Sequence, residues 1–124
     1  MKSVFVAGSL RFNKEIEETA KIFSAAGFKV LRARLAPGLK SKDEIGQAKV
    51  EDARKFERQM LDEIDQCDTL YIVCPSGYIG LAAALEIGFA LKGGKEIYAS
   101  EQPADVQLRG FIRGVASPQE LAKK

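Results

Sequence analysis

Histidine and tryptophan are both missing from the 124 residues of this chain. The absence of histidine removes the side chain that most often serves as a general base near neutral pH and that commonly binds zinc. Any catalysis by this chain would therefore depend on carboxylate, hydroxyl, thiol or ammonium groups.

Cysteine is scarce, since Cys67 and Cys74 are the only two in the chain. Two cysteines cannot build a disulfide framework, and their separation matches neither a zinc motif nor a CxxC redox motif. We expect both to be reduced thiols buried in the core, as free cysteines usually are.

An excess of charge of either sign is also missing. Lysine and arginine together number 19 and aspartate and glutamate 17, so the formal net charge is +2. A charge this balanced argues against a protein that coats a nucleic-acid backbone, whereas it is compatible with a small anionic ligand.

Long hydrophobic runs are absent as well. The first apolar run, residues 4–7, is too short for a signal peptide, and no run approaches the roughly 20 residues of a membrane span. We therefore expect a cytoplasmic protein without a membrane partner. With 46% apolar and 29% charged residues, the composition is that of an ordinary globular protein, and residues 1–124 are expected to form one domain.

Short apolar runs alternate with helical patterns along the chain. Strands are predicted at residues 4–7, 28–31, 69–74 and 95–99, with an edge strand at 115–116. Helices are predicted at residues 13–26, capped by Asn13, at 50–64 and 81–91, and after a capping box at Ser117. This alternation predicts an α/β fold with a parallel sheet of about five strands and helices on both faces.

In such sheets, ligands bind beyond the carboxyl ends of the strands. Three segments are therefore candidates: residues 8–12, residues 75–80 and the segment after Tyr98. The first contains Gly8, Ser9, Leu10 and Arg11, in which a glycine, a hydroxyl and a guanidinium could hold a phosphate. The pattern is neither GxGxxG nor a P-loop, so a plain glycine turn followed by a solvated arginine is the alternative interpretation.

Glu86 is the only charged residue among residues 81–91. Three of its neighbours at helical spacing, Ala82, Ala83 and Ala90, are small, so a cavity could open over its carboxylate. A partly desolvated carboxylate can act as a nucleophile or a base where histidine is absent. The alternative is a helix that needs one polar residue on its outer face.

Other residues carry weaker signals. Tyr78 and Gly80 precede the helix of Glu86 and indicate either a wall that offers a hydroxyl or a simple turn. Arg109 and Arg113 in the tail could reach an anion or could face solvent. Solvated helix faces without a role in the site are expected at Asp52, Asp62, Glu63 and Asp65.

Four segments together resemble the nucleoside 2-deoxyribosyltransferase superfamily: residues 4–11, 66–73, 85–90 and 111–114. Their order and approximate spacing cover nearly the whole chain. The Gly-Ser-x-Arg form of the first loop is similar to that of the 2'-deoxynucleoside 5'-monophosphate N-glycosidases, in which this loop binds the 5'-phosphate.

This resemblance implies a flavodoxin-like (Rossmann-like) sheet and a homodimer or larger assembly whose sites share residues between subunits. It also implies a nucleotide or nucleoside ligand and cleavage of its base–sugar bond. Glu86 would be the nucleophile that attacks C1', with an ester intermediate resolved by water or by a second base. That mechanism needs no metal and no cofactor. The implied ligand-binding residues are Gly8, Ser9, Leu10, Arg11, Tyr78, Gly80 and Arg109.

Two departures from the family pattern concern residues that would support the glutamate and the ligand, and Ala82–Ala84 and Arg109 depart from it as well. Phe5 stands where family enzymes carry a tyrosine that orients the glutamate, and Met60 stands where they carry an aspartate. These departures leave a second hypothesis open, a non-catalytic protein of this descent that binds or senses nucleotides. A flavodoxin-like interaction module without a ligand is the third.

Overall fold

A computed structural model describes residues 2–36 and 49–123 of the chain. Five strands form one parallel sheet in the order β2-β1-β3-β4-β5. This is the flavodoxin-like order, and it confirms the predicted α/β class. The strands are β1 Ser3–Gly8, β2 Lys29–Arg32, β3 Thr69–Val73, β4 Glu96–Ala99 and β5 Gly114–Val115. The helices are α1 Asn13–Ala25, α2 Val50–Asp65, α3 Leu81–Lys92, α4 Val106–Arg109 and α5 Pro118–Ala122.

The central strands are buried on both faces, which is why they read as continuous apolar runs. All six residues of β1 are buried, and in the parallel register Phe5 lies beside Leu31 of β2 and Leu70 of β3. The sheet lies between two pairs of helices, because α1 packs with α5 and α2 packs with α3. Helices therefore cover both faces of the sheet, and a ligand can approach the sheet at the ends of its strands.

The start of α1 differs from the prediction. Asn13 is the first helical residue and not the cap, and its side-chain amide donates to Glu17. A 3₁₀ turn, Leu10–Phe12, leads directly into the helix, and the Ser9 hydroxyl caps that turn by accepting from the backbone N–H of Arg11. The predicted Asn13 cap was wrong because the cap lies before the preceding turn.

Several local predictions are confirmed. Cys67 and Cys74 are buried and unpaired. The capping box at the start of α5 is complete, since Ser117 and Glu120 each accept from the backbone N–H of the other. Tyr71 is fully buried in β3, and its hydroxyl donates to the backbone carbonyl of Ala116 at 2.7 Å.

Among the helices that the described residues form, none is long and apolar enough to cross a bilayer.

Candidate functional site

A cavity of about 520 Å³ opens at the carboxyl edge of the sheet, a volume typical of small-molecule sites. Its walls are formed by Gly8, Ser9 and Leu10 after β1, by the segment after β2, by α2, and by residues from Tyr78 to Glu86. The chain connects β1 to β2 on one side and then crosses to β3 on the other. The cavity thus lies where the strand order reverses.

The wall after β1 depends on Gly8. Its φ is +151°, and a Cβ at this position would lie 2.6 Å from the carbonyl oxygen of Val73 in β3. Only glycine fits a backbone this close to the neighbouring strand. Because of this close approach, Ser9 and Leu10 lie in the cavity wall. The Ser9 hydroxyl accepts a hydrogen bond from the backbone N–H of Arg11.

Glu86 projects from α3 toward the cavity and is 2% exposed. Ala82 and Ala83, one turn earlier on the same helix, also line the cavity. Small side chains at these positions leave space beside the carboxyl group. The structure therefore does not place Glu86 on the outer face of α3, which was the alternative interpretation of this residue.

A second carboxyl group, that of Glu57 on α2, lies beside Glu86. Both residues line the cavity, and their carboxyl groups are placed to share a hydrogen bond when one of them carries a proton. Within the described part of the chain, the buried Glu57 Oε2 atom has no hydrogen-bond partner. Burial, followed by the hydrogen bond and the charge of Glu57, raises the pKa of Glu86 far above its ordinary value.

Sequence reasoning missed Glu57, although a signal was present. Ala53, Glu57, Met60 and Ile64 recur at helical spacing, so Glu57 interrupts the apolar face that α2 turns toward the protein. Glu86 was singled out as the only charge in its helix, and that test fails on α2 because α2 carries many charges. Helical spacing is the signal that would have found Glu57.

Arg11 and Tyr78 meet at the rim of the cavity. The Arg11 guanidinium lies 4.2 Å from the centre of the Tyr78 ring, in cation–π contact. Phe12 packs edge-on against the same ring, with centroids 6.0 Å apart. Tyr78 lines the cavity and is 40% exposed. Arg11 is exposed and stands behind Tyr78, one layer outside the cavity wall.

The segment after Tyr98 does not line this cavity, so that expectation was wrong. The neighbours of β1 in the sheet are β2 and β3. Three of the residues that follow β2, which are Ala33, Arg34 and Ala36, line the cavity instead. β4 lies beyond β3 in the sheet, and none of the described residues that follow it lines the cavity.

The two tail arginines also lie away from the cavity. Arg109 donates to the backbone carbonyls of Pro103 and Ala104, and Arg113 forms an ion pair with Glu96. Within one subunit, the structure therefore separates Arg109 from the other predicted site residues. It brings together Gly8, Ser9, Leu10, Tyr78, Gly80 and Glu86, with Arg11 at the rim.

Asp52 and Glu63 of α2 were expected to lie on solvated helix faces. In the structure, neither residue is only solvated. Asp52 is exposed but lines the cavity. Glu63 is half-buried and accepts two hydrogen bonds from Arg34, at 2.7 and 2.8 Å. Arg34, another cavity residue, lies over the Phe56 ring and lowers the pKa of Glu63. This ion pair joins the segment after β2 to α2 at the cavity mouth.

Both departures from the family pattern are visible in the structure. Phe5 is fully buried in β1 and lies outside the cavity lining. Met60 is buried and lines the cavity one turn beyond Glu57. The cavity therefore receives no hydroxyl from β1, and α2 contributes the carboxyl groups of Asp52 and Glu57 in place of one at position 60.

No family model matches the sequence, and no curated protein matches it closely. Solved structures do match over nearly the whole chain. A CMP N-glycosidase from Clostridium botulinum is 19% identical, with a TM-score of 0.60, and the match covers 98% of this chain and 96% of that chain. A 2-deoxyribosyltransferase from Bacillus psychrosaccharolyticus is 11% identical, with a TM-score of 0.68 and coverage of 98% and 91%.

A conserved protein from Enterococcus faecalis is similar too, at 16% identity, a TM-score of 0.61 and coverage of 99% and 96%. At these identities the likeness shows a shared fold. The first two matches thus share the flavodoxin-like fold that the predicted resemblance implied.

Proposed function

We propose that this protein cleaves the N-glycosidic bond of a nucleotide or nucleoside, with Glu86 as the nucleophile. One observation supports this most directly: a buried carboxyl group lines the same cavity as the Gly8–Leu10 loop. The two solved enzymes of this fold, a CMP N-glycosidase and a deoxyribosyltransferase, favour the same reaction class.

The proposed reaction has two displacements, as in retaining glycosidases. A Glu86 carboxylate oxygen attacks C1' of the sugar while the bond from C1' to the base nitrogen breaks. Water or a second base then attacks C1' and releases Glu86. The backbone of the Gly8–Leu10 loop and the Ser9 hydroxyl would bind a 5'-phosphate, with the Arg11 guanidinium approaching from the rim.

The test is release of free base from a panel of ribonucleoside and deoxyribonucleoside monophosphates, with CMP and dCMP included. We expect Glu86→Gln to lower the rate by roughly 10⁴-fold or more, because the amide cannot form the ester. Arg11→Ala should raise the KM for monophosphates roughly 10- to 100-fold and leave parent nucleosides unchanged. Lys14→Ala, which removes an exposed cation from α1 outside the cavity, is the matched control.

Absence of base release from every compound in the panel would contradict the proposal. Wild-type rates in Glu86→Gln would contradict the assignment of the nucleophile and leave the reaction class standing.

We further propose that the protein works as a homodimer. Leu81, Leu85 and Phe89 lie one turn apart on one face of α3 and are 93%, 53% and 37% exposed. An exposed apolar stripe of this kind typically marks a protein interface. Leu81 belongs both to this stripe and to the cavity wall, so a second copy packed on α3 would also border the site.

A second candidate function is binding or sensing of a nucleotide without cleavage. The buried Phe5 favours it, because no hydroxyl from β1 reaches the cavity to orient Glu86. The base-release panel separates the two candidates, since a sensor would bind a nucleotide and return it intact. Equilibrium dialysis of the same compounds measures that binding.

A further inference from the structure

We propose that Glu57 is a second catalytic residue, which donates a proton to the leaving base and then accepts one from the attacking water. This inference rests on the proposed function. The observations that carry it are the position of Glu57 in the cavity wall, the buried Oε2 atom and the proximity of the Glu86 carboxyl group.

Within residues 2–36 and 49–123, no group donates a hydrogen bond to the buried Oε2 atom of Glu57. A buried carboxyl oxygen without a donor costs free energy, and the substitution of an apolar residue would remove that cost. α2 already carries Ala53, Met60 and Ile64 on this face. Among the described residues, the partners left for this atom are a protonated Glu86 carboxyl group and a ligand in the cavity.

The environment of the pair favours a single shared proton. Two carboxylates that face one cavity repel each other, so the pair is favoured with one proton, and the proposed reaction uses the form in which Glu57 holds it. Among the described residues, the other ionisable side chains in the cavity wall are Arg34 and Lys49 beside α2, Asp52 on α2, and Tyr78 at the rim. Arg34 is engaged with Glu63, so its charge is already balanced when the cavity is empty.

The proton and electron balance closes over one cycle. In the first step, the Glu86 oxygen bonds to C1', the C1'–N bond breaks with its electron pair going to the base, and the Glu57 proton passes to that base. In the second step, water bonds to C1', its proton passes to Glu57, and the C1'–O bond breaks with its electron pair returning to Glu86. The pair again holds one proton.

Glu57→Gln tests this role with two leaving groups. With CMP, whose base must be protonated to leave, we expect base release to fall about 10²- to 10⁴-fold. With 7-methylguanosine 5'-monophosphate, whose cationic base leaves as a neutral molecule without an added proton, formation of the ester should fall far less. Asp62→Asn, the same type of change on the exposed face of α2, is the control for both substrates.

The pH profile gives a readout that a purely structural role would not change. The wild-type rate should fall at high pH as the pair loses its shared proton, and Glu57→Gln should lose this decline. Glu57→Ala provides a second variant. With the 7-methylguanosine substrate it should accumulate the ester, and added azide should speed turnover, because azide attacks C1' without a base and forms a sugar azide.

Three outcomes decide the matter. Slow CMP cleavage by Glu57→Gln together with azide rescue of Glu57→Ala supports the role. Wild-type behaviour of both Glu57 variants, with Glu86→Gln inactive, overturns the role of Glu57 and leaves the proposed function intact. A wild-type protein that releases no base from any substrate overturns both.

Discussion

At the scale of single residues, Gly8 fixes the path of the backbone at the cavity. Its positive φ and its distance from the Val73 carbonyl leave no space for a side chain. A larger residue would have to push β1 and β3 apart at their carboxyl ends, where Ser9 and Leu10 enter the cavity wall. Stability and ligand binding therefore depend on the same atom positions here.

Gly8→Ala should destabilise the protein by about 2–4 kcal/mol, from backbone strain and from the contact with Val73. Denaturant unfolding followed by circular dichroism measures this loss. Gly110→Ala is the control, because Gly110 is helical in its φ and ψ and has open space around its Cβ position. If both variants lose the same stability, the steric argument at Gly8 does not hold.

Residues also show how far the sequence could predict the site. Glu86 was identifiable because a single charge in an alanine-rich helix is conspicuous in the sequence alone. Glu57 was hidden because α2 carries many charges, so that only the geometry of the helix separates the one that faces inward. Arg109 was placed by resemblance, and its contacts with the Pro103 and Ala104 carbonyls depend on the path of a loop that no local pattern encodes.

At the scale of elements, α3 presents two different faces. One face directs Glu86 into the cavity, and the other exposes Leu81, Leu85 and Phe89. A helix that is apolar nearly all round is expected to be covered on both sides. Because the described part of this chain covers only one side, α3 is the element that would link the cavity to the proposed dimer interface.

Replacement of Leu85 by aspartate should dissociate the proposed dimer, since it introduces a charge at the centre of the stripe. Sedimentation equilibrium measures the dissociation constant, which we expect to rise at least about 100-fold, as for a central interface residue. Val106→Asp is the control, because Val106 is 70% exposed on α4 and lies outside the stripe. A wild-type protein that is monomeric at all concentrations would contradict the proposal.

Element types were predictable, whereas their arrangement was not. The buried strands β1 and β3 were found because both faces are covered and their residues are uniformly apolar. The order of the strands depends on which edge each crossover takes, and that choice is made by packing between distant segments. The expectation that the segment after Tyr98 borders the site failed for this reason.

At the scale of the whole molecule, ionisation of the buried Glu86 carboxyl group lowers the stability of the fold. The pKa of Glu86 in the folded protein is raised above its ordinary 4.5. Between pH 4.5 and that raised pKa, the folded protein therefore holds a proton that the unfolded chain has released. By linkage, the free energy of unfolding then decreases as pH rises through this window, by about 1.4 kcal/mol per pH unit for a single group.

Glu86→Gln should remove this slope. The variant should be more stable than the wild type, by little near about pH 4.5 and by a few kcal/mol near about pH 8. Urea unfolding across this range measures the difference. Glu18→Gln, at an exposed position of α1, should keep the wild-type slope. Parallel curves for Glu86→Gln and the wild type would show that the Glu86 carboxyl ionises as freely in the fold as in the unfolded chain.

The position of Tyr78 at the cavity rim also gives the molecule a built-in optical reporter. With no tryptophan in the chain, its ultraviolet emission comes from three tyrosines. Tyr71 is sealed in the core and Tyr98 lies at the opposite end of the sheet, so both emit a constant background. Of the three tyrosines, only Tyr78 lines the cavity. A nucleobase that stacks near its ring would quench its fluorescence. Titration can therefore be followed without a dye or a label.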